Sequence, residues 1–243
     1  MKTLQSVLLV HLTVFALTST TWAKVRPNRL FSDGAVLQQN TSIRVWGTAK
    51  EGEKVTVQFD GQSATATAKD GKWLVRLHPH PAGGPYTMTI SGENTVAVSN
   101  VVVGEVWICS GQSNMGMPLR DTATASTEVP TANYPKIRMF TVQQRFAAQP
   151  VMEVVGQWEE CSPETSPKFS AIGYYFGRNI HKATGFPVGL INTSRSATPA
   201  QAWTSLTGLE KAPELSDYAA TAKSLIAKYG CAGINLQKME TEL

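Results

Sequence analysis

The segment that could carry out chemistry runs from Gly104 to Met115 and reads GEVWICSGQSNM. A buried strand, Glu105 to Cys109, is predicted to lead into a turn of small residues that ends at the hydroxyl of Ser113. Ligands of open α/β sheets collect at the carboxyl ends of the strands, so a hydroxyl here is placed to act as a nucleophile. The backbone N–H of Ser113 could also help to hold an oxyanion.

The same pattern also has a purely structural interpretation. The motif is not the Gly-x-Ser-x-Gly elbow, because Met115 occupies the position of the last glycine. A polar turn that caps the following segment would have a similar composition. Spacing alone therefore leaves the nucleophile and the capping turn as open alternatives.

Residues 24–103 are predicted to form a small β-sandwich. Apolar residues alternate with polar ones over residues 55–59, 73–77 and 86–90, and this period of two is typical of strands with one buried face. The pairs Asp60-Gly61 and Asp70-Gly71 favour tight hairpins, because glycine tolerates positive φ. Short strands at even spacing indicate a sandwich.

From Gly104 onward the pattern changes to alternating strands and helices. This alternation predicts parallel βαβ units with helices on both faces of a sheet, and a domain boundary near Val103–Gly104. The predicted strands are 105–109, 137–142 and 187–192, and the predicted helices are 170–184, 199–209 and 215–228, with Gly185 just past the end of the first helix.

Residues 1–23 have the features of a secretory signal. Lys2 gives the positive start, residues 4–17 are mostly apolar, and Thr21-Trp22-Ala23 offers small residues for cleavage after Ala23. We expect the mature chain to be secreted or periplasmic. The apolar stretch is short for a bilayer-spanning helix, so no membrane association is expected after cleavage.

The composition excludes several classes of protein. Hydrophobic residues make up 42%, charged residues 16%, and the net charge is +4, which excludes a disordered chain and a coiled coil. The Lys and Arg residues are scattered and form no run of four, so no nucleic-acid partner is expected.

Cysteine and histidine usage gives little sign of a metal site. Cys109 is predicted to be a buried small hydrophobic residue, whereas a Cys161–Cys231 bridge stays open from sequence. His78 and His80 could form a metal-binding pair, but no third ligand is evident.

Four blocks of the chain resemble the sialate O-acetylesterase family, which belongs to the SGNH-type esterases. The resemblance extends in order over nearly all of the predicted mature chain. The blocks are LFSDGAVLQ (30–38), GEVWICSGQSNMGMPL (104–119), FSAIGYYFGR (169–178) and PVGLINTS followed by TPAQAW (187–203). The resemblance implies that residues 104–243 are the first part of an SGNH/flavodoxin-like parallel α/β domain, preceded by the β-sandwich.

The resemblance implies that this protein removes O-acetyl groups from sugars. Ser113 would be the nucleophile that forms an acetyl-enzyme, and the partner would be an acetylated sugar or glycan. Gln112, Ser196 and Ala197 would help to bind the substrate or its oxyanion. The resemblance implies neither a metal ion nor an organic cofactor.

Three departures from the family pattern bear on activity. The block with the acidic residue and the histidine that completes the family's site does not occur before Leu243, so we expect a C-terminally truncated chain of low or no activity. His181 lies within a predicted helix and is expected to be a surface or packing histidine. Ser196 and Ala197 stand where many members have two glycines, and Gly116 stands where many have Glu.

Two other functional classes fit the same sequence. One is a catalytically silent carbohydrate-binding or accessory protein on the same scaffold, and the other is an exported structural module without a ligand. Exposed aromatic residues on the sandwich, for which Trp46 and Trp73 are the candidates, would favour carbohydrate binding. Trp73 alternates with Val75 and Leu77, so it is expected in the core.

Overall fold

A computed structural model describes residues 24–145 and 151–229. The predicted signal segment, residues 1–23, and Cys231 lie outside these ranges. No helix in the described part of the chain is both long enough and apolar enough to cross a membrane.

Eleven strands form two sheets in the described residues. The smaller sheet is antiparallel with the order β1-β3-β6, and the larger one has the order β10-β9-β11-β8-β7-β4-β5, with β2 paired to β8. The strands are β1 Arg26–Pro27, β2 Val36–Gln38, β3 Ile43–Thr48, β4 Lys54–Phe59, β5 Gln62–Thr67, β6 Lys72–Leu77, β7 Gly83–Ser91, β8 Thr95–Cys109, β9 Tyr134–Thr141, β10 Trp158–Cys161 and β11 Val188–Asn192.

The amino-terminal strands form the predicted double layer. Each stretch of period two is a strand whose alternate residues are buried, as in β4 and β6, and the buried residues of both sheets join one hydrophobic cluster. Asp60 and Asp70 both have positive φ, as do the glycines that follow them, which is the geometry of a tight hairpin turn. Trp73 is buried in this cluster, as expected.

Strand β8 crosses the predicted domain boundary without a break. Its first part pairs antiparallel with β7, residues 102–104 pair parallel with β2, and residues 105–109 pair parallel with β11. The division at 103/104 stays a prediction, and that position lies within a 15-residue strand. The two regions therefore share one continuous sheet.

The second region contains the predicted parallel strands. β11 pairs parallel with β8 on one side and with β9 on the other, and β10 adds an antiparallel strand beyond β9. The carboxyl ends of β8, β9 and β11 consequently meet at one edge of the sheet.

Five α-helices accompany these strands in the described ranges: α1 Ser113–Gly116, α2 Ala125–Glu128, α3 Ala171–Thr184, α4 Leu206–Glu210 and α5 Ser216–Tyr229. Helix α3 has the bounds that the sequence predicts. The Ser170 hydroxyl accepts a hydrogen bond from Gly173 N at its start, and Gly185 ends it in the left-handed conformation.

In the described residues, helix α3 covers one face of the parallel strands, and residues of the amino-terminal region lie against the other face. Helix α3 packs on β9 and β11 on one face, and Gly177 leaves room there for Leu190. The opposite face packs against the amino-terminal region: a Cβ at Gly189 would lie only 2.7 Å from Val36 Cβ and 3.3 Å from the Trp158 ring. The sandwich thus takes the place of a second helical layer.

The predicted helix over 199–209 is two separate elements. A single 3-10 turn covers Ala200–Trp203, and α4 begins after Ser205. The Ser205 side chain accepts a hydrogen bond from Gly208 N, so this residue is the N-cap that starts a new helix instead of continuing the earlier one.

Candidate functional site

Three loops meet at the carboxyl ends of the parallel strands. Thr193 N donates to Cys109 O at 2.9 Å, and Arg195 N donates to Gly111 O at 2.9 Å, which ties the loop after β11 to the loop after β8. The loop after β9 joins them through Gln144, whose Nε2 donates to Ser194 O at 3.1 Å. This is the edge at which ligands of parallel sheets bind.

The turn after β8 presents Ser113 to solvent. Gly111 has φ = +139°, a conformation that residues with a side chain rarely adopt, and the chain reverses there before α1. The Ser113 hydroxyl donates to Gln112 Oε1 at 3.1 Å, and Ser113 N donates to the same oxygen at 3.3 Å. The capping interpretation thus applies to Gln112, while the hydroxyl of Ser113 stays exposed.

The turn after β11 holds Ser196 and Ala197, the two residues that replace the expected glycines. Ala197 has φ = +58°, so an alanine occupies the left-handed conformation that glycine adopts without strain. Thr198 Oγ1 donates to Arg195 O at 2.7 Å and closes this turn. Ala197 therefore holds a backbone conformation in this turn that glycine would adopt more easily.

The two turns lie directly against each other at Gly116. A Cβ there would be 3.1 Å from Ser194 Oγ and 3.7 Å from Ser196 Oγ. The structure thus brings the turn that carries Gln112 and Ser113 next to the turn that carries Ser196. The roles of Gln112, Ser113, Ser196 and Ala197 in catalysis or binding stay predictions.

Asn192 and Ser194 hold the turn after β11 in place through side-chain hydrogen bonds. The sequence alone assigned them no such role. Both are buried, and Asn192 Oδ1 accepts hydrogen bonds from Ser194 N at 3.0 Å and from Ser194 Oγ at 2.7 Å. An Asn at a strand end followed two residues later by Ser is the local signal for such a turn.

None of the described histidines lies at this edge. His80 is in the amino-terminal region, where its ring contacts Asp60 Oδ2 and Pro81 O at 2.7 Å each, and His78 N donates to Gln62. His181 Nδ1 lies 2.7 Å from Phe186 O, before β11 begins.

Helix α3 sets the distance between His181 and the Ser113 turn. Its first residue, Ala171, donates from its backbone N to Met117 O at 2.8 Å, close to that turn. His181 is ten residues further along, which corresponds to about 15 Å of helix rise. His181 is therefore a packing histidine, as expected, and its ring stacks edge-on with Tyr134.

The described residues contain no group of three or more His, Cys, Asp or Glu side chains that could hold a metal ion. Cys109 and Cys161 are both buried, and burial raises the pKa of Cys109 to about 11 and that of Cys161 to about 12. The prediction that Cys109 is a buried small hydrophobic residue is confirmed. The open question of a Cys161–Cys231 bridge involves a residue outside the described ranges.

A cleft of about 280 Å³ lies between the segment after β9 and the segment after β11. Trp203 contributes a face that is 46% exposed, and its Nε1 donates to Thr198 Oγ1 at 2.9 Å. Arg195 lines the cleft and donates from its guanidinium to Gln144 Oε1. Sequence reasoning did not identify this cleft, because its walls come from loops after two different strands.

Comparison with known proteins agrees with the resemblance drawn from the sequence. The chain is 33% identical to human sialate O-acetylesterase over 195 residues and 32% identical to the rat enzyme over 197 residues; each match covers 72% of this chain. Among solved structures, a carbohydrate acetylesterase from Xanthomonas citri matches with a TM-score of 0.71 and 35% identity, over 74% of this chain and 42% of that chain. No protein-family model matches.

The chain spans about 37% of the length of these curated relatives. Over the matched part, the fold corresponds to that of the carbohydrate acetylesterase from Xanthomonas citri. The resemblance inferred from the sequence is thereby confirmed, and the chain is a homologue of the sialate O-acetylesterases over 72% of its length.

Proposed function

We propose that this chain carries the nucleophile-bearing part of a carbohydrate O-acetylesterase, with Ser113 as the nucleophile. The observation that supports it best is the position of Ser113, exposed on a glycine-dependent turn at the carboxyl end of β8 and beside the turn of Ser196. The relatives bear the names sialate O-acetylesterase and carbohydrate acetylesterase, so an O-acetylated sugar is the proposed substrate class.

In the proposed reaction the Ser113 oxygen attacks the acetyl carbonyl carbon. The new Oγ–C bond forms as a general base takes the hydroxyl proton, and the carbonyl oxygen becomes an oxyanion. Collapse of this intermediate breaks the bond to the sugar oxygen, which leaves as a protonated hydroxyl. Water then attacks the acetyl-enzyme, and acetate leaves with regeneration of Ser113.

Two requirements follow for Ser113. Gln112 must release the hydroxyl, which a rotation of its exposed side chain achieves at small cost. A base must also reach the hydroxyl, and since the described histidines lie elsewhere, we place this base outside residues 24–145 and 151–229. We therefore propose that the 243-residue chain alone is weakly active or inactive.

Acetate release tests this proposal. The full chain and its Ser113→Ala variant are assayed with 4-nitrophenyl acetate and with an O-acetylated sialic acid, and Ser110→Ala serves as the control in the same turn. We expect a low rate that Ser113→Ala abolishes and Ser110→Ala preserves. Equal rates above the buffer background in all three proteins would show that Ser113 is not the nucleophile.

A second candidate is a carbohydrate-binding protein without catalysis. It is favoured by one observation, the hydrogen bond that holds the Ser113 hydroxyl on Gln112 while the described histidines are engaged elsewhere. This candidate predicts that acetylated sugars bind to the chain without any acetate release and that Ser113→Ala leaves the affinity unchanged.

We also propose that the mature protein begins at Lys24 and is secreted or periplasmic. The support is the charge and hydropathy pattern of residues 1–23. Mass spectrometry of the intact protein from a secreting host tests it. Recovery of the protein from the culture medium or periplasm with Lys24 as its first residue is expected, and an intact Met1 terminus in the cytoplasm would contradict it.

A further inference from the structure

We propose that Asn28 is a positioning residue for the candidate site, because it holds one wall of the cleft between the segments after β9 and β11. The amino-terminal region thereby sets the width of that cleft. The opposite wall includes Arg195 and Thr198, which belong to the turn of Ser196. The inference deepens the proposed function and rests on it, since that turn lies beside the turn of Ser113.

The side chain of Asn28 is buried, and both of its polar atoms are bonded. This residue follows β1 directly and is 1% exposed. Its Oδ1 accepts a hydrogen bond from Leu30 N at 3.0 Å, which closes a local turn, and its Nδ2 donates to Met152 O, 124 residues away in the sequence. A buried amide that lost such a partner would have no water to replace it, so the contact ties the segment around Met152 to the amino-terminal region.

A second contact attaches the same segment a few residues further on. Trp158, at the start of β10, donates from Nε1 to Leu30 O at 2.9 Å. The chain from Met152 to Trp158 is therefore held at both ends by residues 28–30. Three residues between the two attachments line the cleft: Glu153, Val154 and Val155.

The attached segment is also bonded to the loops of the candidate site. Gln143 N, in the loop after β9, donates to Val155 O at 2.7 Å. The neighbouring Gln144 donates from Nε2 to Ser194 O, in the loop after β11. A displaced wall therefore pulls on the loop that lies against the turn of Ser113.

The opposite wall is held by contacts within its own segment. Trp203 Nε1 donates to Thr198 Oγ1 at 2.9 Å, and Thr198 Oγ1 donates to Arg195 O at 2.7 Å. Loss of the Asn28 contact therefore releases one wall and leaves the other in place, so the expected effect is a change in the width of the cleft.

Hydrogen exchange of the full chain, followed by mass spectrometry, tests the inference and requires no activity. In Asn28→Ser the hydroxyl can still accept from Leu30 N, but it is one bond shorter and does not reach Met152 O. We expect the backbone amides of residues 151–157 to exchange about tenfold faster, because their local opening no longer breaks this hydrogen bond. Strand β4 and helix α3 should exchange as in the wild type. An unchanged rate over residues 151–157 would overturn the inference.

Asn94→Ser is the matched control. Asn94 Nδ2 donates to Val25 O at 3.3 Å, which is the same kind of contact, an amide on a backbone carbonyl, within the amino-terminal region alone. This variant should leave the exchange of residues 151–157 unchanged. An equal rise in both variants would mean a general loss of stability, and the role of Asn28 would be refuted.

Kinetics connects the wall to the candidate site. With an O-acetylated sialic acid, Asn28→Ser should raise KM by about tenfold and change kcat little, because a displaced wall weakens binding of the ground state and the transition state alike. The KM of the smaller ester 4-nitrophenyl acetate should change less. An unchanged KM for the sugar ester would overturn the role of Asn28 at the site.

The inference and the proposed function fail separately in this design. Faster exchange over residues 151–157 in Asn28→Ser, with no acetate release from any protein, would support the wall contact and remove the esterase. Acetate release that depends on Ser113, with wild-type exchange and KM in Asn28→Ser, would retain the esterase and remove the inference.

Discussion

The two regions of the chain differ in how far they bury their large apolar side chains. Between Val25 and Val103 nearly every inward-facing strand residue is buried in one cluster that joins both sheets. After Gly104, several large apolar residues are exposed, among them Trp107, Ile108, Ile172, Phe176 and Trp203. The first region is thus a packed core, whereas the second has several large apolar side chains on its surface.

The two regions also differ in how completely the edges of strand β8 are paired. In the amino-terminal part β8 has neighbours on both sides, β7 and β2. Residues 105–109 of the same strand pair with β11, and no second strand in the described residues covers their other edge. An open edge and exposed apolar residues both lower local stability, so we place most of the folding free energy in the first region.

Truncation of an aromatic residue in each region should give the largest difference. Phe59 is 1% exposed and packs against His80 and Tyr86, whereas Phe176 is 41% exposed. Phe59→Ala is expected to cost about 3–5 kcal/mol, because it leaves a cavity in a closed core. Phe176→Ala should cost much less. Urea unfolding of both variants checks this. Equal losses of unfolding free energy would show that the two regions do not differ in packing at these residues.

The Glu128–Arg178 ion pair joins α2 to α3 in the second region. Burial opposes ionisation of Glu128, but hydrogen bonds from Arg178 and Tyr174 outweigh it and lower its pKa. Glu128→Gln should cost about 2 kcal/mol, less than a fully buried pair. Glu210→Gln, which breaks the exposed pair with Lys223, is the control and should cost under about 0.5 kcal/mol.

The lowered pKa also predicts a pH dependence for this contact. The stability from ionised Glu128 is fully present above the unfolded value of about 4.3 and is lost as the pH falls through the lower folded pKa. Unfolding of the wild type and Glu128→Gln between pH 2 and pH 6 checks it. Their stabilities should converge toward low pH, and a constant difference would contradict the assignment.

His80 predicts the opposite pH dependence for the amino-terminal region. Burial disfavours the imidazolium, but hydrogen bonds to Asp60 and to Pro81 O, and the charge of Asp60, outweigh it and raise the pKa of His80. Its contribution is present below the unfolded value of about 6.5 and is lost as the pH rises through the folded pKa. Thermal unfolding of the wild type and Asp60→Asn from pH 5 to pH 9 should show a difference that shrinks with pH. His78→Gln is the control.

Ala197→Gly should give the smallest effect and the opposite sign. Glycine adopts φ = +58° without strain, so the change should stabilise the turn after β11 by about 0.5–1 kcal/mol. Ala183→Gly, at an exposed position within α3, should instead destabilise by about 1 kcal/mol. A destabilising Ala197→Gly would show that the turn relaxes to negative φ in solution.

Much of the fold follows from local patterns in the sequence. The strands over 55–59 and 73–77 have a strict period of two, and Ser170 and Gly185 mark the ends of α3, so their positions could be predicted. The break at Ser205 was missed, because a serine within an apolar helical pattern reads equally well as a helix residue or as a cap.

The candidate site likewise has a part that could be predicted from the sequence and a part that could not. The motif around Ser113 could be found from residue types. The glycine-like turn at Ala197 was expected only from the family resemblance, because alanine itself gives no local signal of positive φ. The contact of Gly116 with Ser194 and Ser196 and the cleft of Trp203 could not be found from residue types, because their partners are about 80 or more residues apart or come from separate loops.

The sequence by itself indicated several of the strands, the main helix, the candidate nucleophile and the family resemblance, because each leaves a signal in residues that are close together in the chain. Only the tertiary structure decided that one strand, β8, unites the two regions and that the amino-terminal sheet covers a face expected to hold helices. It also decided that His181 lies at the far end of α3 from Ser113. These features depend on pairing between distant segments, and the free energy of that pairing comes from packing, which local periodicity does not specify.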